Sequence, residues 1–118
     1  MVSTRKSPSV YAKFMYLAQV VRSLDLFPSL DPLEERLLNQ LAAYWAVDKP
    51  ITVLEALSLS PDVAAGTWYR CLTSLRQKGM LQLEGEEADQ PTRYLVATPL
   101  AEKYFARLEQ CMTTAINC

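Results

Sequence analysis

The stretch ITVLEALSLSPDVAAGTWYRCLTSLRQKG, residues 51–79, decides how this chain folds. Thr52 is a good N-cap, and Glu55 stands three residues later, the spacing of a capping box. A short helix is therefore expected from Thr52 to about Leu59. Ser60-Pro61-Asp62 is turn chemistry, since proline pre-sets its backbone and serine and aspartate bond locally to theirs. A second helix is expected from about Ala64 or Thr67 to Lys78. Trp68, Cys71, Leu72 and Leu75 recur at helical spacing on one face, and Gly79 stands where a left-handed residue ends a helix. Short helix, turn and helix together make a helix-turn-helix unit.

Outward from this unit, the pattern changes period. Met80–Glu84 and Thr92–Ala97 read as strands, with Leu81 and Leu83 on one face and Tyr94 and Val96 opposed to Arg93 and Leu95. The polar link Gly85–Pro91 makes them a hairpin with a protruding tip, placed where a wing would be. Thr98-Pro99 caps a last helix, along one side of which lie Ala101, Phe105, Leu108, Met112 and Ile116. Upstream, Asp31-Pro32 with Glu34 opens a helix whose stripe is Leu37, Leu38, Leu41, Ala42 and Trp45, ended by Asp48-Lys49-Pro50. A first helix runs from about Val10 to Leu26, with Val10, Phe14, Leu17, Val21 and Leu24 at helical spacing and Phe27-Pro28 at its end.

Bulk properties narrow the function classes. A length of 118 residues, 50% apolar and 21% charged, suits one globular domain. The net charge of −1 gives no global positive field, so an argument for nucleic acid rests on where the charges sit. Residues 1–24 carry Arg5, Lys6, Lys13 and Arg22 with no acid, and residues 64–80 carry Arg70, Arg76 and Lys78 with no acid. Residues 82–92 carry Glu84, Glu86, Glu87 and Asp89 with no base. Cys71, Cys111 and Cys118 have no framework spacing, and Lys13, Gln19 and Arg22 interrupt the first apolar stretch. A reduced, cytoplasmic protein without a membrane segment is expected. The chain contains no histidine, only three glycines, no phosphate-cradling loop and no nucleophile–base pair. No catalytic residue, metal site or cofactor is expected, and the chain does not read as an enzyme.

At the level of motifs, Ile51–Glu55, Thr67–Arg70, Leu75–Leu81 and Arg93–Leu100 resemble the MarR family of winged-helix regulators. The resemblance covers roughly Leu33 to Leu108. Its most specific parts are the L-x-x-K-G-x-L helix exit and the Thr-Pro entry to the last helix, both shared by many winged-helix families. The fold it implies is mainly α with a small β-hairpin, a winged helix-turn-helix flanked by N- and C-terminal dimerisation helices. One domain over 1–118 is expected, with an N-terminal dimerisation helix over 10–27, a winged helix-turn-helix core over 31–98 and a C-terminal dimerisation helix over 99–117. The resemblance also implies a homodimer on a palindromic operator in double-stranded DNA, acting as a repressor relieved by a small-molecule effector. Two departures stand out. The family's wing carries an Asp-x-Arg element, whereas here Asp89 and Arg93 are four apart in an acidic loop, and the Thr52-to-Thr67 spacing is one residue longer.

If Trp68, Leu72 and Leu75 face inward, then Thr67, Tyr69, Arg70, Thr73 and Ser74 face outward or sideways. Arginine reads guanine bidentately, and hydroxyls reach bases or phosphates. With Arg76, Lys78 and Arg93 these residues form the expected DNA-binding set. The competing reading is a winged-helix protein-interaction module that has lost DNA binding and works through its acidic wing. Cys111 and Cys118 read as structural rather than oxidant-sensing, since no base stands near to activate a thiol. Tyr44 and Trp45 read as packing residues rather than the lining of a ligand pocket.

Overall fold

The computed structural model describes residues 9–84 and 93–117. The elements run α1 (Val10–Arg22), α2 (Pro32–Ala46), α3 (Val53–Ala56), α4 (Ala65–Gln77), β1 (Leu81–Glu84), β2 (Tyr94–Ala97) and α5 (Pro99–Asn117). They fall into two compact units. One runs from Leu30 to Ala101, and the other comprises the chain up to Ser29 together with the chain from Glu102 onward.

In the Leu30–Ala101 unit, each helix starts where its local chemistry asks it to. The Asp31 carboxylate accepts from the Glu34 amide at 2.8 Å, and Glu34 accepts from the Asp31 amide at 2.8 Å. Thr52 and Glu55 repeat the arrangement at 3.1 and 2.9 Å. Each box satisfies donors that a helix start would otherwise leave orphaned. Helix α2 packs on α4. Leu37, Leu38 and Leu41 from the first, with Trp68 and Leu75 from the second, are fully buried. Burying each of these side chains is worth about 1.5–3 kcal/mol, so the α2–α4 seam is the main store of stability here.

Helix α4 ends in a Schellman motif. Gly79 has φ 81°, its amide donates to Arg76 O at 3.0 Å, and the Met80 amide donates to Leu75 O at 2.9 Å. The chain then enters β1, which pairs antiparallel with β2 in the register Leu81↔Ala97, Gln82↔Val96, Leu83↔Leu95, Glu84↔Tyr94. A third edge escapes the alternation pattern. Leu95 donates to Ile51 O at 2.9 Å, and Thr52 bridges Tyr94, so the segment entering α3 extends the sheet. Trp45 adds a tie, its indole N–H donating to Leu95 O at 3.0 Å. Thr98 closes the unit by accepting from the Ala101 amide at 3.1 Å and donating to Gly79 O at 2.5 Å.

The second unit is helical. Ser9 caps α1 by accepting from the Ala12 amide at 3.0 Å. The helix stops at Arg22, four residues before the expected Leu26. The Ser23 hydroxyl turns back to donate to Gln19 O at 3.0 Å and Val20 O at 2.9 Å, competing with continuation of the helix. The chain from there to Phe27 is a turn. Phe27 meets the Tyr104 ring edge-on, with centroids 5.3 Å apart, and Arg22 Nε donates to the Tyr104 hydroxyl at 3.0 Å. The unit buries Ala18, Val21, Phe27, Tyr104, Cys111 and Ala115, yet leaves Val10, Tyr11, Tyr16, Val20, Met112 and Ile116 exposed. Helix α3 is also shorter than the expected run to Leu59, closing after Ala56.

Candidate nucleic-acid interface

Helix α4 has two chemically distinct faces. Trp68, Cys71, Leu72 and Leu75 point into the unit and are buried. Tyr69, Arg70, Arg76 and Gln77 are exposed, with Thr67 and Thr73 half-buried beside them. The Thr73 hydroxyl donates back to Tyr69 O at 3.0 Å. The first turn is made of exposed Ala65 and Gly66 without a side-chain cap, and a Cβ added at Gly66 would meet nothing within 4 Å. Nothing bulky therefore shields the start of the helix from a surface laid against it.

The turn in front of α4 carries the one carboxylate between Glu55 and Glu84, and that charge is paired. Arg36 donates to Asp62 at 2.9 Å, and the guanidinium lies 5.7 Å from the Trp68 ring centre. The hydrogen bond from Arg36 holds the Asp62 carboxyl below its usual pKa. The outer side of the helix-turn-helix thus presents no unpaired carboxylate among the described residues of this stretch.

Two of the expected interface residues have another partner. The Ser74 hydroxyl donates to Glu34, and Lys78 Nζ donates to Glu34 Oε1 at 2.7 Å. The Glu34 side chain is only 4% exposed. Burial by itself would raise its pKa, but the bonds from Lys78, Ser74 and the Asp31 amide outweigh that effect and hold it below the ordinary value. The sequence shows Glu34 as a capping residue and nothing more. Its pairing with residues forty and forty-four positions away has no local spacing to reveal it.

Arg93 lies exposed at the foot of β2, on the hairpin side of a groove of about 560 Å³ that also borders the second half of α4. Gln77 and Gln82, which the sequence reading did not single out, line the same groove. The expected wing tip, with Glu86, Glu87 and Asp89, lies outside the described residues, as do the basic residues Arg5 and Lys6 and the thiol of Cys118. Cys71 and Cys111 are buried. Burial and the nearby Asp31 and Glu34 carboxylates push the Cys71 thiol up, away from the reactive thiolate. Trp45 is half-buried and committed to Leu95 O, which fits packing. Among the described residues no cluster of three acidic, cysteine or histidine side chains could hold a metal ion, and no helix is long and apolar enough to cross a membrane.

Comparison with solved structures places this architecture. The transcriptional regulator Tm0710 from Thermotoga maritima superposes with a TM-score of 0.62 at 17% identity, over 92% of this chain and 68% of that one. The fold is a winged helix-turn-helix. The heme sensor protein PefR from Streptococcus agalactiae, solved in complex with heme, gives the winged helix a second counterpart. Its TM-score is 0.58 at 16% identity, over 89% of this chain and 69% of that one. No protein-family model matches the sequence, and no curated protein matches it. The likeness is one of architecture.

Proposed function

We propose that this winged helix is a sequence-specific DNA-binding transcriptional regulator, a cytoplasmic repressor acting as a homodimer on a palindromic operator. The observation that carries the reading is the outer face of α4. It offers Tyr69, Arg70, Thr73 and Arg76 on a helix whose opposite face is buried, and the Asp62 carboxylate in the turn before it is paired with Arg36. A major groove admits one such helix, and arginine and hydroxyl side chains suit base edges and phosphates there. Thr67 and Arg93 extend the contact set to either side. Ser74 and Lys78 serve it indirectly, by fixing α4 against α2 through Glu34.

Dimerisation rests on the terminal unit. Its exposed Val10, Tyr11, Tyr16, Val20, Met112 and Ile116 are costly to leave in water. A second copy, covering them across a two-fold axis, would also set the spacing of the operator half-sites. This keeps the reading of 1–118 as one functional domain. A small-molecule effector belongs to the proposal. The heme of PefR is not carried over to this chain, which has no histidine to offer as an axial ligand.

The test is selection of genomic DNA fragments by the purified protein at fixed salt, followed by quantitative binding to the recovered sequence. Enrichment of one two-fold-symmetric sequence is expected. Equal retention of all fragments, or of none, would remove sequence-specific regulation and leave the protein-interaction module.

A further inference from the structure

The sheet of the Leu30–Ala101 unit ends in an open strand edge, and that edge lies in a charged groove. Leu95 turns its backbone away from β1, since its amide donates to Ile51 O at 2.9 Å and its carbonyl accepts from the Trp45 indole at 3.0 Å. In an antiparallel pair a residue aims both backbone groups to one side, and the side alternates along the strand. Leu95 stands opposite Leu83, and Ala97 opposite Leu81, so the backbone groups of Leu81 and Leu83 also point away from the partner strand. Among the described residues these groups have no hydrogen-bond partner. They border the groove of about 560 Å³ that β1 shares with α4. Thr73, Arg76 and Gln77 line it from the helix, at the i, i+3 and i+4 spacing that puts side chains on one side. Gln82 and Arg93 line it from the hairpin, and no carboxylate does so among the described residues.

We infer that this groove takes an extended acidic peptide, which adds to β1 as a further strand. An open edge offers both N–H and C=O groups, and a peptide backbone supplies a partner for each. An inorganic anion supplies acceptors alone and would leave the Leu81 and Leu83 carbonyls facing negative charge. The dimensions agree. A strand matched to the four residues of β1, at the 4.8 Å spacing of neighbouring strands and with side chains filling about 10 Å across its two faces, needs roughly 600 Å³. That leaves room for one added strand, so pairing stops there instead of propagating as exposed edges invite. Charge then selects the side chains. Two guanidiniums line the groove, and Glu84, exposed at the end of β1, lies outside the lining. Acidic residues therefore belong opposite Arg76 and Arg93, and a neutral one opposite Glu84. The inference goes beyond the DNA-binding reading and does not need it. On that reading, peptide and DNA would compete for Arg76 and Arg93.

The experiment titrates the isotope-labelled full chain with the blocked peptide acetyl-Thr-Glu-Val-Glu-Val-Thr-amide and follows backbone amides by NMR. Its alternate glutamates stand on one face of a strand. Saturable shifts in β1 and the second half of α4 are expected, with slower hydrogen exchange at the Leu83 amide, which gains a partner. Further comparisons separate strand addition from attraction by charge. The same peptide with every amide N-methylated keeps its charge but has no donors, and should not bind. A counterpart with lysine for glutamate should not bind either. Arg76→Gln should weaken the acidic peptide about 1.5- to 5-fold. Leu83→Pro should weaken it about tenfold, because the N–H it removes belongs to the open edge and not to the ladder with β2. Circular dichroism reports whether the proline variant folds, and if it does not, the N-methylated peptide decides alone. Equal binding of the plain and N-methylated peptides, equal binding of the acidic and lysine peptides, or no shifts at about 1 mM acidic peptide overturns the strand site. None of these results touches the DNA-binding reading, which stands or falls by the fragment selection.

Discussion

Replacing Glu34 by alanine should cost far more stability than its place in a helix start suggests. In the folded chain this carboxylate accepts from the Asp31 amide at 2.8 Å, from Lys78 at 2.7 Å and from the Ser74 hydroxyl. A hydrogen bond to a charged group contributes about 1.5–3 kcal/mol when both partners are buried. The Lys78 side chain is 32% exposed, so its share is discounted for screening and for rehydration in the variant. With a capping-box loss of about 1 kcal/mol, the expected cost is about 2–4 kcal/mol, a large part of the total stability of a small domain. Urea unfolding at one fixed protein concentration should show a lower midpoint with an unchanged slope. A pH series separates charge from shape. The folded pKa of Glu34 lies below its ordinary 4.5, so its contribution is complete above that value, fades as pH drops past it, and is gone once pH has fallen through the folded pKa. The gap in stability between wild type and Glu34→Gln should therefore narrow from pH 4.5 downward. An alanine variant within about 0.5 kcal/mol of wild type, or a gap that does not change in acid, would refute the assigned network.

Arg70→Ala should lose about 1–3 kcal/mol of operator affinity and relax sequence choice, read by fluorescence anisotropy against single-base operator variants. Sedimentation of the wild type should give twice the 13.3 kDa chain mass, and Val20→Asp with Ile116→Asp, at positions 45% and 68% exposed, should give one chain mass with helicity retained. Gly79→Ala should destabilise by about 1–2 kcal/mol. The added methyl would meet only Leu100 at 3.9 Å, so the cost lies in holding φ at 81° and appears as a lower urea midpoint.

Much of this winged helix is legible because its punctuation is local. Asp31 with Glu34, Thr52 with Glu55, and Gly79 each announce a helix boundary within four residues, and the structure places the boundaries there. The inner face of α4 follows from spacing alone. What stays hidden depends on partners distant in sequence. The strand-like pairing of Ile51 and Thr52 with β2 requires knowing that the hairpin folds back onto them. The bond between Trp45 and Leu95 spans fifty positions. Ser74 and Lys78 look like outward polar residues because the carboxylate that claims them belongs to another helix. The ends of α1 and α3 are exceptions, local events that apolar spacing does not mark. Serine at a C-terminus competes for backbone carbonyls, and the apolar spacing continues past it to Leu24 without the helix.

The division of labour on α4 has an evolutionary consequence. Tyr69 and Arg70 are exposed, so exchanging them carries little penalty in folding, and if they read DNA as proposed, operator preference could drift by single substitutions on that part of the helix. The row through Ser74 and Lys78 is different, because any change there must also satisfy Glu34. On the proposed reading, a lineage could therefore retarget this protein at a few base pairs while the helix stays fixed on α2. On the proposed reading, an engineer seeking a new operator would randomise Tyr69 and Arg70 and leave the Glu34 row alone.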